Sequence, residues 1–217
     1  YRDGSGLQRL AKGTASQELR INSGATAPEW FTPAAASTEM VKIATGSFSN
    51  VGTLTLDGTA KWGANDTYSH HKLVFWNFNP ASSSNLEIRQ TNDGSVVTSG
   101  DYSWTVTQRN SGNTNASFIS SDQGTSIRLT YDNLRAAVLH GFVINITNMM
   151  VSNNNAGLTI QSDIAAPNQD NTARMINHMG AAIFRTASSN NVSRSGLLIY
   201  MTAGNITGNY AIYGIKR

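Results

Sequence analysis

The sequence predicts an all-β protein: an antiparallel two-sheet β-sandwich, jelly-roll-like, preceded by an extended N-terminal arm. Three observations lead there. Ten or more short segments read as strands, several of them alternating apolar and polar residues, the period-two signature of a strand with one buried face. Turn chemistry separates them, including Asp57-Gly58 and Asp93-Gly94. No segment carries a sustained apolar stripe of period 3.6, and residues 134–139 offer at most one helical turn.

Taken in order, residues 1–37 are small, polar and punctuated by Gly, Pro28 and Pro33, without the apolar periodicity of a globular element, and are read as an extended arm or stem for attachment and oligomerisation. Residues 38–217 are read as the sandwich. Its first strands are expected at 40–43 and 51–56, the second ending at Asp57-Gly58. Residues 72–79 are apolar at nearly every position, so they are expected to form a central strand stopped by Pro80. Alternation resumes at 86–90 and again at 102–107, where Tyr102, Trp104 and Val106 share a face. Further strands are expected at 117–119, 127–131, 139–147, 157–160, 174–185, 196–201 and 210–215.

Composition narrows the function classes. The 217 residues include 39% hydrophobic side chains, enough for a core, but only 13% charged ones. Polarity comes instead from 23 Asn, 24 Ser and 22 Thr, residues that bond local backbone in turns and short strands. The net charge of +3 is scattered, with no basic run beyond Lys216-Arg217, so no nucleic-acid partner is expected. Without Cys there is no disulfide framework, thiolate chemistry or Cys-based metal site. The longest apolar candidate, residues 136–146, is interrupted by His140 and Asn145 and falls short of the roughly 20 residues a membrane helix needs, so no membrane insertion is expected. Because the chain lacks an initiating Met and a recognisable secretion signal, Tyr1 is expected to follow a cut or a longer preceding segment.

Chemistry has few footholds. Glycan hydrolysis usually needs two carboxylates flanking the scissile bond. Beyond the arm Glu87 is the sole Glu; Asp57 and Asp93 precede Gly as turn residues, which leaves Asp66, Asp132 and Glu87 as candidates. His70 and His71 are adjacent and point to opposite faces of a strand, and His140 and His178 lack nearby ligand motifs. No nucleophile elbow, phosphate loop or HExxH occurs. We therefore expect no catalytic residues, no metal and no cofactor. For ligand binding, Trp62 with Asn65, Asp66 and Tyr68 is the best candidate, an aromatic beside hydrogen-bonding groups in a Gly-rich stretch, whereas Trp76 and Trp104 are assigned to the core. Loop tips at 110–115, 153–155 and 188–191 are further candidates. In the arm, Leu19, Ile21, Trp30 and Phe31 are expected to be buried by oligomerisation.

Two resemblances add context. Gly13, Gln17, Leu19, Asn22, Thr26 and Trp30, spaced G-x3-Q-x-L-x2-N-x3-T-x3-W, resemble a segment that recurs in bacteriophage fibre proteins. Tyr68, Asn77-x-x-Pro80, Leu86-x-x-Arg89, Gly94, Ser99-Gly100-x-Tyr102-x-Trp104, Ile127-x-Leu129 and the ending from Gly204 to Ile215 resemble a β-sandwich domain at the ends of phage virion proteins. The resemblance implies a non-enzymatic virion fibre protein: a homotrimer held to other virion proteins by its N-terminal fibre arm. Its tip is expected to engage a host glycan or another envelope component as a tail-fibre or receptor-binding protein. A capsid-attached head fibre or decoration protein, and a glycan-degrading tailspike, are the alternatives.

Overall fold

A computed structural model of the chain describes residues 1–33, 40–64, 67–98, 102–111, 116–149, 158–167, 175–184 and 195–216. The chain divides into two compact units, residues Tyr1–Thr38 and Glu39–Arg217. The first is made of hairpins rather than of featureless extended chain. Strands β1 (Arg2–Asp3) and β2 (Gly6–Leu7) pair antiparallel, as do β3 (Glu18–Ile21) and β4 (Pro28–Phe31).

Every residue of the fibre-type spacing has a structural task in this unit. Gln17 Oε1 accepts the Thr14 N–H at 2.8 Å and shapes the entry to β3. Asn22 Oδ1 accepts the Thr26 N–H at 2.9 Å and its Nδ2 donates to Thr26 Oγ1 at 3.0 Å, building the β3–β4 turn. Leu19 faces Trp30 across the ladder, and the Trp30 indole donates to the Ala11 carbonyl at 2.6 Å. Gly13 lies so close beneath that indole that a Cβ there would sit 2.6 Å from the ring. Leu19 and Ile21 remain 58% and 59% exposed on the face shared with Trp30. Phe31 differs: pleat alternation puts it on the opposite face, with the Arg20 guanidinium 3.6 Å above its ring centroid.

The second unit is the antiparallel sandwich expected from the sequence. In chain order its elements are β5 (Met40–Val51), β6 (Thr53–Asp57), α1 (Thr59–Trp62), β7 (Tyr68–Pro80), β8 (Leu86–Asn92), β9 (Ser95–Val96), β10 (Tyr102–Asn110) and β11 (Ser117–Gly124). Then follow β12 (Ile127–Arg128), β13 (His140–Thr147), β14 (Leu158–Pro167), β15 (Met175–Phe184), β16 (Gly196–Met201) and β17 (Ile206–Lys216). One sheet runs β11-β10-β15-β14-β13-β7-β17-β5; the other runs β12-β8-β16-β6, with β9 on β8. Asp93 and Gly94 both take positive φ, 47° and 81°, the geometry a two-residue hairpin requires between β8 and β9. The chain between 134 and 139 is irregular, and the helical turn lies instead at α1.

Aromatic packing fixes the relation of three strands in the larger sheet. Phe75 and Phe78 both point inward, and Phe142 of β13 lies 4.8 and 5.1 Å from their ring centroids. Phe48 of β5 closes the cluster at 6.2 and 6.1 Å. Two residues three apart on a regular strand cannot share a face. Asn77, at φ 51°, resolves this as a bulge, and the register skips there against both β13 and β17. Trp76, next after the inward Phe75 in regular alternation, lies on the far side, 40% exposed, which corrects its assignment to the core. Trp104 is partly buried and packs against the core as expected.

The core also holds polar groups. His71, His140 and His178 are buried on the inner face of the large sheet, not placed at its surface or edge. His71 Nε2 lies 2.8 Å from the Trp62 carbonyl and His140 Nε2 3.0 Å from the Arg135 carbonyl. His178 Nδ1 accepts the Tyr131 N–H at 3.2 Å, which selects the neutral tautomer protonated on Nε2. Burial lowers the His178 pKa to about 4, against the pull of Asp132 in the other direction. The unfolded chain binds a proton near pH 6.5 that the folded chain refuses until about pH 4, so acid favours unfolding across that window. His178 should contribute a fall of about 3 kcal/mol in stability as pH drops from 6.5 to 4, measured by urea denaturation. Burial lowers the His71 and His140 pKa values too, so they add to the same slope. His178→Gln should make the slope shallower; an unchanged slope would show that His178 does not contribute to it.

Candidate functional site

The large sheet buries one face against the smaller sheet and turns the other outward. Alternation decides which side chains appear there. In β10, Tyr102, Val106 and Gln108 are buried, and Ser103, Thr105 and Thr107 point out. In β14, Ile160, Ser162 and Ile164 are buried, and Thr159, Gln161 and Asp163 point out. The register lines these outward residues up across strands. Ser120, Thr105, Ala181 and Gln161 form one rank, and Ser103, Ile183 and Thr159 form the next, extended by Asp122.

These ranks line an open groove of about 600 Å³ on β11, β10, β15 and β14. Its floor contains Ala181 and Ile183, and Trp104 borders it while packing partly against the core. The small side chain at Ala181, beside Gly180, keeps the middle of the groove low. Ser103 Oγ donates to the Asp122 carboxylate, and Thr105 Oγ1 to the Ile119 carbonyl at 3.4 Å. The Gln161 amide has no partner among the described residues. Asp122 is the only ionisable side chain among the described lining residues. Hydroxyls, an amide and one carboxylate around an aliphatic floor suit a neutral, hydroxyl-rich ligand with an apolar ring face.

The site anticipated from sequence is arranged differently. Trp62 is fully buried: α1, held between Gly58 and Gly63 at φ 79° and 81°, turns the indole into the sandwich, where Nε1 donates to the Leu56 carbonyl at 2.8 Å. It therefore offers no exposed platform. Tyr68 is partly buried, with its ring 5.7 Å from His71, which in turn meets Trp62 at 5.5 Å; together they form a packing trio. A Cβ on Gly63 would fall 2.4 Å from the Tyr68 ring, so glycine is required there by space as well as by φ. Asn65 and Asp66 lie outside the described residues, as do 112–115, 153–155 and 188–191.

The carboxylate candidates serve hydrogen-bond networks. Glu87 Oε2 accepts from Ser126 Oγ and Tyr200 Oη, both at 2.8 Å. Burial, reinforced by Glu87, pushes the Tyr200 phenol up to about 12, and the Arg89 guanidinium lies 5.1 Å from its ring centroid. Asp132 Oδ2 accepts from Gln108 Nε2 at 2.9 Å. Arg128 is pulled down by burial and pushed back by both Glu87 and Asp132. It donates to Asn85 Oδ1 at 2.6 Å and to the carbonyls of Thr130, at 2.7 Å, and Tyr131. Among the described residues no group of three or more His, Cys, Asp or Glu side chains could hold a metal ion.

Fold and site thus define an all-β sandwich carrying an open polar groove on its larger sheet. No family model matches the chain, and no curated protein matches it. Among solved structures it is similar to the CBM2 module of Lactobacillus casei BL23 phage J-1 evolved Dit, at 11% identity and a TM-score of 0.23, over 76% of this chain and 69% of that one. That likeness is too low to carry an argument. Burial of Trp62 has a direct consequence: Trp62→Ala should lower unfolding stability by about 3–5 kcal/mol, measured by chemical denaturation. A loss below about 1 kcal/mol would be incompatible with its place in the core.

Proposed function

We propose that the chain is a non-enzymatic bacteriophage virion fibre protein whose β-sandwich engages a glycan on the host surface. The observation that carries the glycan reading is the groove: hydrogen-bonding side chains from four strands, over an aliphatic floor, on a sheet face open to a large ligand. The virion reading rests on the fibre-type spacing from Gly13 to Trp30. Its residues build one hairpin and leave Leu19 and Ile21 exposed on the face of Trp30. An isolated two-stranded hairpin is marginal in water, and these side chains gain stability when copies of the arm cover them. Self-association as a homotrimer follows from the same reading, with other virion proteins held by the arm. Three tips then strengthen weak single-site binding through avidity.

A microbial glycan array tests the glycan reading. The protein is expected to bind a set of neutral glycans, and Gln161→Ala or Asp122→Asn should reduce that binding by about tenfold, the loss of one or two good hydrogen bonds. Because the described lining residues offer a carboxylate and no cation, raising ionic strength from about 0.05 to about 0.3 M should change affinity by less than about twofold. Preference for anionic polymers with a steep salt dependence would count against this site. Light scattering should give about three times the 23.3 kDa of one chain, and a monomer would remove the trimer. Immunogold label on the tail would support receptor engagement; label spread over the capsid would make the chain a head fibre or decoration protein. Release of reducing ends from a bound polysaccharide would instead support a tailspike.

A further inference from the structure

The outward face of the large sheet has a second feature, three strands from the centre of the groove. Trp76 on β7 is 40% exposed because it follows the inward Phe75 in regular alternation, before the Asn77 bulge turns Phe78 inward as well. A large indole on a solvent-facing strand leaves apolar surface in water that folding alone does not require. Its surroundings are unequal on the two sides. Towards β13 it lies beside Gly141, where an added Cβ would meet only the Phe75 carbonyl oxygen, at 3.7 Å. That flank of the ring is open. Towards β17 it is paired with Asn209, which is paired with Ser47 of β5, so an amide lies on the adjacent strand and a hydroxyl one strand beyond it.

An exposed ring with one free flank and hydrogen-bonding groups on the two strands beyond the other matches the needs of a pyranose: an apolar C–H face to stack and hydroxyls to bond. Between Trp76 and the groove the outward residues are mixed: Asp163, Asn145 and Lys72 offer polar groups, and Val74 and Val143 lie among them. Three strand spacings and two ranks along the strands separate the two places by roughly 20 Å. We infer that Trp76, with Asn209 and Ser47, is a second sugar subsite on the face that carries the groove, so that the ligand is an extended glycan chain laid across the strands. This rests on the glycan reading above and adds to it that the internal units of a polymer are recognised, not only a terminal sugar.

The experiment compares length dependence. For the glycan that binds best on the array, oligomers of increasing length are titrated against the full chain, Trp76→Ala, Trp76→Phe and Gln161→Ala. In the unaltered protein affinity should climb with length until both places are spanned. Trp76→Ala should lose that climb, about tenfold or more on the longest oligomer, and keep the affinity for the shortest, while Trp76→Phe restores part of it. Because the ring is more than half covered, Trp76→Ala should lower the denaturation midpoint while the chain stays folded at the assay temperature, and the retained affinity for the shortest oligomer separates binding from folding. Trp76→Ala binding all lengths as the unaltered protein does overturns the subsite, whether or not Gln161→Ala still weakens binding. A change of oligomeric mass in Trp76→Ala with binding intact also overturns it and makes the ring a contact between copies. Failure of the unaltered protein to bind any glycan on the array overturns the glycan reading itself, and the subsite with it.

Discussion

The packing of four phenylalanines on the inner face of the large sheet is the constraint from which the rest of the sandwich follows. Phe48, Phe75, Phe78 and Phe142 come from β5, β7 and β13, so their edge-to-face contacts set the order of the sheet around its most apolar strand. To bring Phe75 and Phe78 to one side, β7 must carry an additional residue, and Asn77 supplies it in a conformation that asparagine tolerates better than most side chains. The smaller sheet closes the other side through Leu56, Ile88, Leu197 and Ile199. Trp62 is buried in the same core, and a strap from 129 to 134 ties the sheets together: the Leu129 and Leu134 amides donate to the carbonyls of Leu86 and Ser84 beside the smaller sheet, and the Tyr131 amide donates to His178 of the larger one.

How much of this was legible in the sequence depended on how local the signal was. Strands with a strong local signal, such as the alternating 86–90 and the continuously apolar 196–201, appear where they were expected, because the signal is written in consecutive residues. The strand at 117–119 runs on to Gly124 and the one at 40–43 to Val51. The continuations, Ser-Ser-Asp-Gln-Gly at 120–124 and Ala-Thr-Gly-Ser-Phe-Ser-Asn-Val at 44–51, are dominated by small and polar residues that imitate a loop. Trp76 and Trp62 exchange places relative to the expectation for two separate reasons. Trp76 would share a face with Phe78 only on a regular strand, and the bulge at Asn77 breaks that phase, whereas a short helical turn between two glycines folds Trp62 back into the core. Neither event has a composition of its own.

The groove was not legible, because it is a property of register between distant segments. Thr105 meets Ala181 across 76 positions of chain, and Ala181 meets Gln161 from a third segment. Each of these residues by itself is an ordinary outward-facing strand position. The shortage of charged residues was a signal, though one without an address: a protein that surfaces its sheets with hydroxyls and amides makes many weak, short-ranged contacts instead of a few strong, screened ones.

Because strands alternate, the residues that hold the sandwich together and those that line its outer face are interleaved one by one on the same segments. Val106 and Ile160 are fixed by the core, and their neighbours Thr105 and Gln161 are constrained by little more than solubility and strand propensity. Substitutions at every second position can thus remodel the outer face at small cost to folding, and since the lining comes from four strands, each can be altered alone. The architecture separates the sites of natural variation from the sites of stability within a single stretch of chain, so that ligand choice can drift rapidly on a scaffold that stays the same.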